Sequence, residues 1–355
     1  MAYKKGKGKM SRRPKKMEPA VQTLLFTTPV TSAGTTADYT IDLSQCASLV
    51  NRRFYRQGIN WAVGGIRASY VLAEGQTSAG SIFLNKLPET WVMSNAWEKG
   101  FRTWQKMNDE ALAESESMKP RFLDFKIFAD SIHHADGYTA NLLPINGIGA
   151  SFAPGEWEAS KVYIPTGTSG TQGQSQQREL LGVGGNYPGI SPVTGLDAVS
   201  LIEGYAASRG LPNVLDPNAP DDGASVDGFN PQNWLTAIFN EGTEQKEEIL
   251  EDMVGPLAEN NIAPYPFEND GVNGDTIYPG GAQQMTGLEY HDLVNIYETN
   301  VTDGIGIQRL KGGMFPCGLI AVHWTPSSAS ANLVIQIDLV PGSHRGYLCE
   351  PMTDM

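Results

Sequence analysis

The opening stretch MAYKKGKGKMSRRPKK places Lys4, Lys5, Lys7, Lys9, Arg12, Arg13, Lys15 and Lys16 within sixteen residues. Cations this close together, on a chain interrupted by Gly6, Gly8 and Pro14, neutralise phosphates and release condensed counterions without reading base sequence. The same composition also fits a nuclear address or a solubilising tail. With Glu18 as the one acid, residues 1–18 carry +7, while the remaining 337 residues hold 18 basic and 38 acidic side chains, or −20. That asymmetry points to a polyanion-binding tail on a body that does not itself attract polyanions. Further on, NRRFYRQG supplies Arg52, Arg53 and Arg56 beside Phe54 and Tyr55. There the body could continue the phosphate contacts; the plainer reading is a strand edge with exposed arginines.

Other chemistry is weakly represented. The chain has no GxSxG, GxxxxGK[ST] or HExxH pattern and no kinase signature. Gly182, Gly184 and Gly189 in GVGGNYPG have the wrong spacing for a dinucleotide fingerprint and read as turn residues. The pair His133-His134 could join a distant carboxylate around a metal, but no second histidine sits at a ligand spacing; a polar strand end or interface is the alternative. His323, within IAVHW, reads as a core or interface group with a satisfied ring. Asp216, Asp221, Asp222 and Asp227 cluster in DPNAPDDGASVDG, yet Pro220 and Asp221 break the calcium-loop pattern, so a solvated loop is expected. No metal, no cofactor and no enzymatic activity are expected.

The elements that must position these groups read as β-rich. Charged residues make up 18% of the chain, and 39 Gly with 22 Pro leave about one residue in six a turn-former, too many for a helical bundle. Strand patterns occur in VQTLLFTTPV, ADYTIDLS, NRRFYRQGINWAVGGIRASYVLAE, RFLDFKIFAD, SKVYIP, CGLIAVHWTP and LVIQIDLVPG. In the last, Ile335, Ile337 and Leu339 alternate with Gln336 and Asp338. SNAWEKGFRTWQKMNDEALAESE predicts a helix capped by Ser94, with Trp97, Phe101 and Trp104 on an inward stripe. LDAVSLIEGYAASRG and EQKEEILEDMVGPLAEN predict two more, and GLEYHDLVNIYETN fits helix or strand equally. Long polar loops separate them at 165–177, 181–195 and 211–233. Residues 203–270 hold 14 acids against Arg209 and Lys246, a net of −12. Cys46, Cys317 and Cys349 are odd in number and far apart, which argues against a disulfide framework and for a reducing compartment. Neither a signal-peptide h-region nor an apolar run of membrane-span length is expected.

A basic arm, a β-rich body with large loop insertions and a late strand together resemble a viral coat protein. LVIQIDLVPGSHRGYLCEPM is similar to the closing strand and tail of capsid proteins from small circular Rep-encoding single-stranded DNA viruses, and MAYKKGKGKMSRRPKK to their packaging arm. Arms in that family are often longer and richer in Arg than this short, mostly Lys one, and the acidic stretch at 203–270 is not matched to it; RNA-virus coat proteins with the same sandwich are the alternative. The resemblance implies an all-β fold: an eight-stranded viral jelly roll of two antiparallel sheets, with long loop insertions containing a few helices. Residues 1–18 would be a disordered arm, and 19–355 a single capsid domain with an acidic insertion at about 165–290. It further implies an icosahedral shell of about 60 copies or a multiple, enclosing viral genomic nucleic acid, single-stranded DNA in that family, in the virion and, during assembly, in the host nucleus. The acidic stretch should avoid the packaged phosphates and lie on the outer surface or at intersubunit contacts.

The expected stoichiometry limits the arm. Sixty arms bring roughly 420 positive charges, while the gene for this chain alone needs about 1,065 nucleotides with one phosphate each. The arms cannot neutralise a genome by themselves, so Arg52, Arg53, Arg56 or small cations must contribute. The competing expectation is a β-sandwich carbohydrate- or protein-binding module that forms no shell.

Overall fold

The structure is a computed structural model that describes residues 19–71, 79–113, 117, 123–165, 175–208, 235, 239, 287–296, 306–327 and 329–355. The chain is mostly β: fifteen strands occur among the described residues, in several largely antiparallel sheets, with few helices. Two sheets dominate. The first is built from β1 (Thr23–Thr27), β3 (Ile59–Val71), β9 (Gly306–Leu310), β10 (Gly313–Phe315), β12 (Asn332–Leu339) and the short β15 (Cys349–Pro351). Their order is β1-β12-β3, with β9 and β10 following one another along β3's far edge. The second holds β2 (Ala37–Asp42), β4 (Gly80–Lys86), β8 (Glu289–Ile296) and β11 (Leu319–Pro326), in the order β2-β11-β4-β8.

Alternation makes these strands. In β12, Leu333, Ile335, Ile337 and Leu339 are buried while the residues between them are half-exposed. In β4, Ile82 and Leu84 point inward in the same way. A period of two puts one face of each sheet against the other, and the apolar core between them includes Phe26, Trp61, Phe315 and Trp324. Gly318, at φ +70°, lets the chain turn into β11 where a side chain would strike the Trp61 indole at 2.8 Å.

Three connections gather at one end of the two sheets. Asp42, Lys86, Glu289 and Leu319 are neighbours there by register. From that end rise α1 (Leu43–Asn51), the turn at Pro316–Gly318, and a long excursion that leaves the sheets after Lys86 and returns at Glu289. The excursion carries α2 (Trp91–Ala111), α3 (Ser131–Asp136), the sheet β5 (Lys161–Pro165), β6 (Ser175–Leu181) and β7 (Ala198–Ser200), and α4 (Leu201–Ser208). Its core unites Val92, Trp97, Phe125, Leu180 and Ile202 with Leu319 and Met352 of the body's end. The chain finishes there with β13 (Pro341–Gly342), β14 (Gly346–Tyr347) and β15 (Cys349–Pro351), the last pairing with the start of β3.

Several expectations need correction. RFLDFKIFAD is not a regular strand: Phe125 and Ile127 are buried as its alternation suggests, but Lys126 is buried as well and Phe128 makes an isolated bridge to Leu181. The cap of α2 is Thr90, whose side chain accepts from Met93 N; Ser94 lies inside the helix and donates to Met352 O at 2.6 Å. LDAVSLIEGYAASRG splits into β7 and α4, and α1 follows β2 without a sequence pattern that announced it. The ambiguous GLEYHDLVNIYETN is a strand, β8, because β4 offers it an edge. EQKEEILEDMVGPLAEN and the loop 211–233 lie outside the described residues.

Candidate nucleic-acid interface

Lys4, Lys5, Lys7, Lys9, Arg12, Arg13, Lys15 and Lys16 lie outside the described residues; the root of their arm does not. Val21 N donates to Asn51 Oδ1 at 3.0 Å, and Tyr347 Oη donates to Val21 O at 2.6 Å. Gln22 Nε2 donates to Gly346 O at 3.2 Å, and Leu339 N to Gln22 O at 2.7 Å. Asn51 Nδ2 ties α1 to the same tyrosine at 2.7 Å. The arm is thus fastened at residues 21–22, between the C-terminus of α1 and the β13–β14 hairpin.

The arginines expected on a strand edge sit elsewhere. Arg52 closes α1 in the left-handed region, at φ 54° and ψ 40°, while Arg53 and Arg56 follow in the loop to β3. All three are exposed. Arg53 Nη1 reaches Pro19 O at 3.5 Å, so Arg52 and Arg53 stand at the arm's root. Between them and β3, Tyr55 turns inward as a core residue against Trp61 and Tyr347, whereas Phe54 stays half-buried beside Trp157. Arg345 joins this group and was missed in the sequence. It too has a positive φ (50°), its Nη1 donates to Phe54 O at 2.6 Å, and its carbonyl accepts from Tyr55 Oη at 2.9 Å. The signal lay in SHRGY, where an arginine precedes a turn glycine.

The remaining candidates that are described sit in packing and hydrogen-bond contacts. Trp97, Phe101 and Trp104 do form one stripe: Trp97 stacks on Phe101 with centroids 5.2 Å apart, Phe101 on Trp104 at 6.2 Å, and Phe125 packs against all three. His133 and His134 lie buried on α3, not at a strand end. His133 Nδ1 accepts from Ala129 N at 3.1 Å, which puts the ring proton on Nε2, 3.0 Å from Asn141 Oδ1; burial holds its pKa down at about 3. His134 Nε2 lies 3.0 Å from Glu179 Oε2. His323 is half-exposed between Asp38 and Asn85. Among the described residues no three His, Cys, Asp or Glu side chains gather to hold a metal ion. Gly184 and Gly189 have positive φ and serve as turns, and the three cysteines are unpaired. The cluster Asp216–Asp227 lies outside the described residues, as does nearly all of 203–270. No described helix is long and apolar enough to cross a membrane.

One buried carboxylate matters to the architecture. Asp42 caps α1 by accepting from Ser44 N at 2.8 Å and Gln45 N at 3.2 Å, and it accepts from Trp157 Nε1 at 3.0 Å and Gln57 Nε2 at 3.2 Å. Burial outweighs these four donors and pushes its pKa up to about 6. Gln57 carries the network on to Ile127 and Tyr138. No family model matches the chain, and neither does any curated protein or solved structure.

Proposed function

We propose that this protein is a structural capsid subunit: a viral jelly roll that assembles into an icosahedral shell and packages single-stranded genomic DNA through its basic arm. The observation that carries the reading is the strand pairing. Counting β9 and β10 as one row and setting aside the short β15, the two large sheets contain eight rows in chain order. Row one pairs with row eight (β1·β12), two with seven (β2·β11), three with six (β3·β9/β10) and four with five (β4·β8). This is one long antiparallel ribbon. Wrapping such a ribbon would add β12·β3 and β11·β4 and give two sheets, and both pairings are present, which supports the jelly-roll reading.

Function follows from what this body holds in place. A shell subunit needs a rigid core, a polyanion-binding segment with a fixed origin, and insertions that shape contacts with its neighbours. The arm's root beside Arg52, Arg53 and Arg345 supports the second, with Arg56 continuing the positive loop. The excursion between β4 and β8 supports the third, and its acidic stretch belongs outside or between subunits, away from packaged phosphate. The subunit performs no catalysis in this reading; it works in the virion and, by the composition of its arm, passes through the host nucleus.

Electron microscopy of the purified protein, with the ratio of absorbance at 260 to 280 nm taken on the same chromatographic peak, tests this. Uniform shells containing nucleic acid, emptied or lost on deletion of residues 1–18, are expected. A small species free of nucleic acid at every salt concentration and pH would instead favour a sandwich-type binding module, with a glycan screen as the next step.

A further inference from the structure

We propose that the outward face of the first sheet binds the phosphates of the packaged single strand, with the cross-strand pair Arg67 and Arg309 at its centre and Lys311 beside it. This deepens the packaging reading and rests on it.

The face contains an electrostatic misfit. Antiparallel register sets Arg67 of β3 directly opposite Arg309 of β9, and both are exposed. Residues so placed have Cβ atoms about 4.5–5.5 Å apart, and like charges there destabilise a sheet. One acid answers two guanidinium groups: Arg67 Nη2 lies 3.5 Å from Asp338 Oδ2. That carboxylate is shared, since its Oδ1 accepts from Thr23 Oγ1 at 2.8 Å and from Gln336 Nε2 at 3.0 Å. Arg309 has no side-chain partner among the described residues, and neither has Lys311, exposed two positions further on. A polyanion lying across this row would turn the repulsion into charge-assisted contacts.

A second feature is the floor beside the arginines. Gly65 stands opposite Asp338, inside a strand of 13 residues. A side chain there would meet nothing within 4 Å. A glycine inside a strand gives up packing and marks a place where another backbone can approach closely.

The third feature is position. Asp338 also pairs with Thr23, the first residue of β1, and the arm is fastened immediately before it at residues 21–22. The arm therefore starts at the edge of this face. The second sheet offers no such surface. Its strands hold a single Lys or Arg, Lys86, which is buried and paired with Glu89. Its outward row instead carries Asp38, His323, Phe83 and Leu293, neighbours by register. Charge distinguishes the two faces, and phosphate suits the first.

The test titrates full-length protein against a fluorescently labelled thymidine strand, read by anisotropy at several salt concentrations. Arg309→Gln with Lys311→Gln should flatten the slope of log affinity against log salt by about 1.4, two contacts at about 0.7 each. Because the exchange removes a like-charge opposition, the thermal midpoint should hold or rise by up to about 2 °C. Arg309→Glu, which can pair with Arg67, should keep the fold and weaken binding at low salt by about tenfold or more. Lys161→Gln, an exposed cation outside this sheet, should leave slope and midpoint unchanged. An unchanged slope in the double variant, with the parent still binding, overturns the face and leaves the packaging reading standing. If that variant also loses its shells in electron micrographs, the face belongs to a neighbouring subunit's acidic stretch, and the proposal fails in that direction. A flatter slope with a lower midpoint makes the pair part of the fold and overturns it as well. A parent that shows no salt-dependent binding overturns the packaging reading itself.

Discussion

The space between the two large sheets and the seam where the excursion meets their end are both buried, yet they are built from different material. The first is filled by Phe26, Trp61, Ile335, Ile337 and Trp324, with few polar atoms. The seam buries Asp42, Gln57, Lys126, His133, Asn141 and Glu179. Backbone pairing explains the difference. Inside a sheet, the ladder satisfies every peptide group and leaves the side chains free to be apolar. At the seam, residues 125–130 form no regular strand and bond only in part to the backbone around residues 180–183 and Ser160, so side chains serve some of the remaining peptide groups. Gln57 both accepts from Ile127 N at 2.7 Å and donates to Ile127 O at 3.2 Å, replacing a strand neighbour. Gln45 and Asn141 extend the same service, joined at 2.9 Å.

The largest expected effect falls in the apolar region. Trp61 is fully buried, packs against Tyr55 and Tyr347, and donates from Nε1 to Ser44 Oγ at 3.1 Å. Trp61→Ala should cost about 3–5 kcal/mol, since a large cavity opens among close-packed neighbours. Trp104→Ala, half-buried on α2, should cost under about 2 kcal/mol. Guanidinium unfolding followed by far-ultraviolet circular dichroism measures both. Equal losses would mean that the two cores are equally well packed and would erase the contrast.

The seam should reveal itself through pH. Asp42 has its pKa raised from 3.8 to about 6, so its contribution is fully present below pH 3.8 and is lost as pH rises through 6, roughly 3 kcal/mol in all. Burial also raises Asp130, which shares that sign. His133 has its pKa lowered from 6.5 to about 3, so it opposes them: stability falls as pH drops from 6.5 towards 3. Between pH 6 and 4 the aspartates and the histidine nearly cancel. Asp42→Asn removes its side of the balance. The variant should lose about 1.4 kcal/mol more per pH unit than the parent over that window, besides a pH-independent cost of about 1–3 kcal/mol for the donors its amide cannot satisfy. Parallel stability profiles for parent and variant between pH 6 and 4 would remove Asp42 from the balance.

This contrast also explains what the sequence disclosed. β12 was legible because half-exposed and core-facing side chains alternate residue by residue, and β11 because its apolar run 319–322 is buried on both faces before alternation sets in. The eight-row pairing was not, because nothing local in AVSLIEG or RFLDFKIFAD tells a seam from a sheet. Lys126 shows the reason: a charged residue at an alternating position reads as exposed, yet it is buried with its ammonium 4.4 Å from the Trp157 ring centroid and paired with Asp124. The arm's charge was plain in sequence, and its anchorage was not. Asn51, Gln22 and Tyr347 are ordinary residues until the fold sets Asn51 2.7 Å from the Tyr347 hydroxyl and Gln22 3.2 Å from Gly346 O. Arg345 escaped notice for the same reason, being 292 positions beyond Arg53.

The smallest effect concerns the exposed rim of the seam, where the arginines cost the fold almost nothing to change. Arg52 is exposed and strained at φ 54°, and Arg53 is exposed at the arm's root. Replacing Arg52 by Gly relieves the left-handed residue and should stabilise the body by a few tenths to about 1 kcal/mol. If the body shares in packaging as proposed, the same change removes one phosphate contact, and Arg53→Ala removes another. For single strands each lost contact lowers the slope of log affinity against log salt by about 0.7, so the double variant should flatten it by about 1.4. Fluorescence anisotropy of a labelled single strand, titrated at several salt concentrations, reads that slope, and thermal unfolding reads the stability. A more stable protein with an unchanged slope would confine packaging charge to residues 1–18. A flatter slope would mean that the body begins to hold the strand where α1 ends.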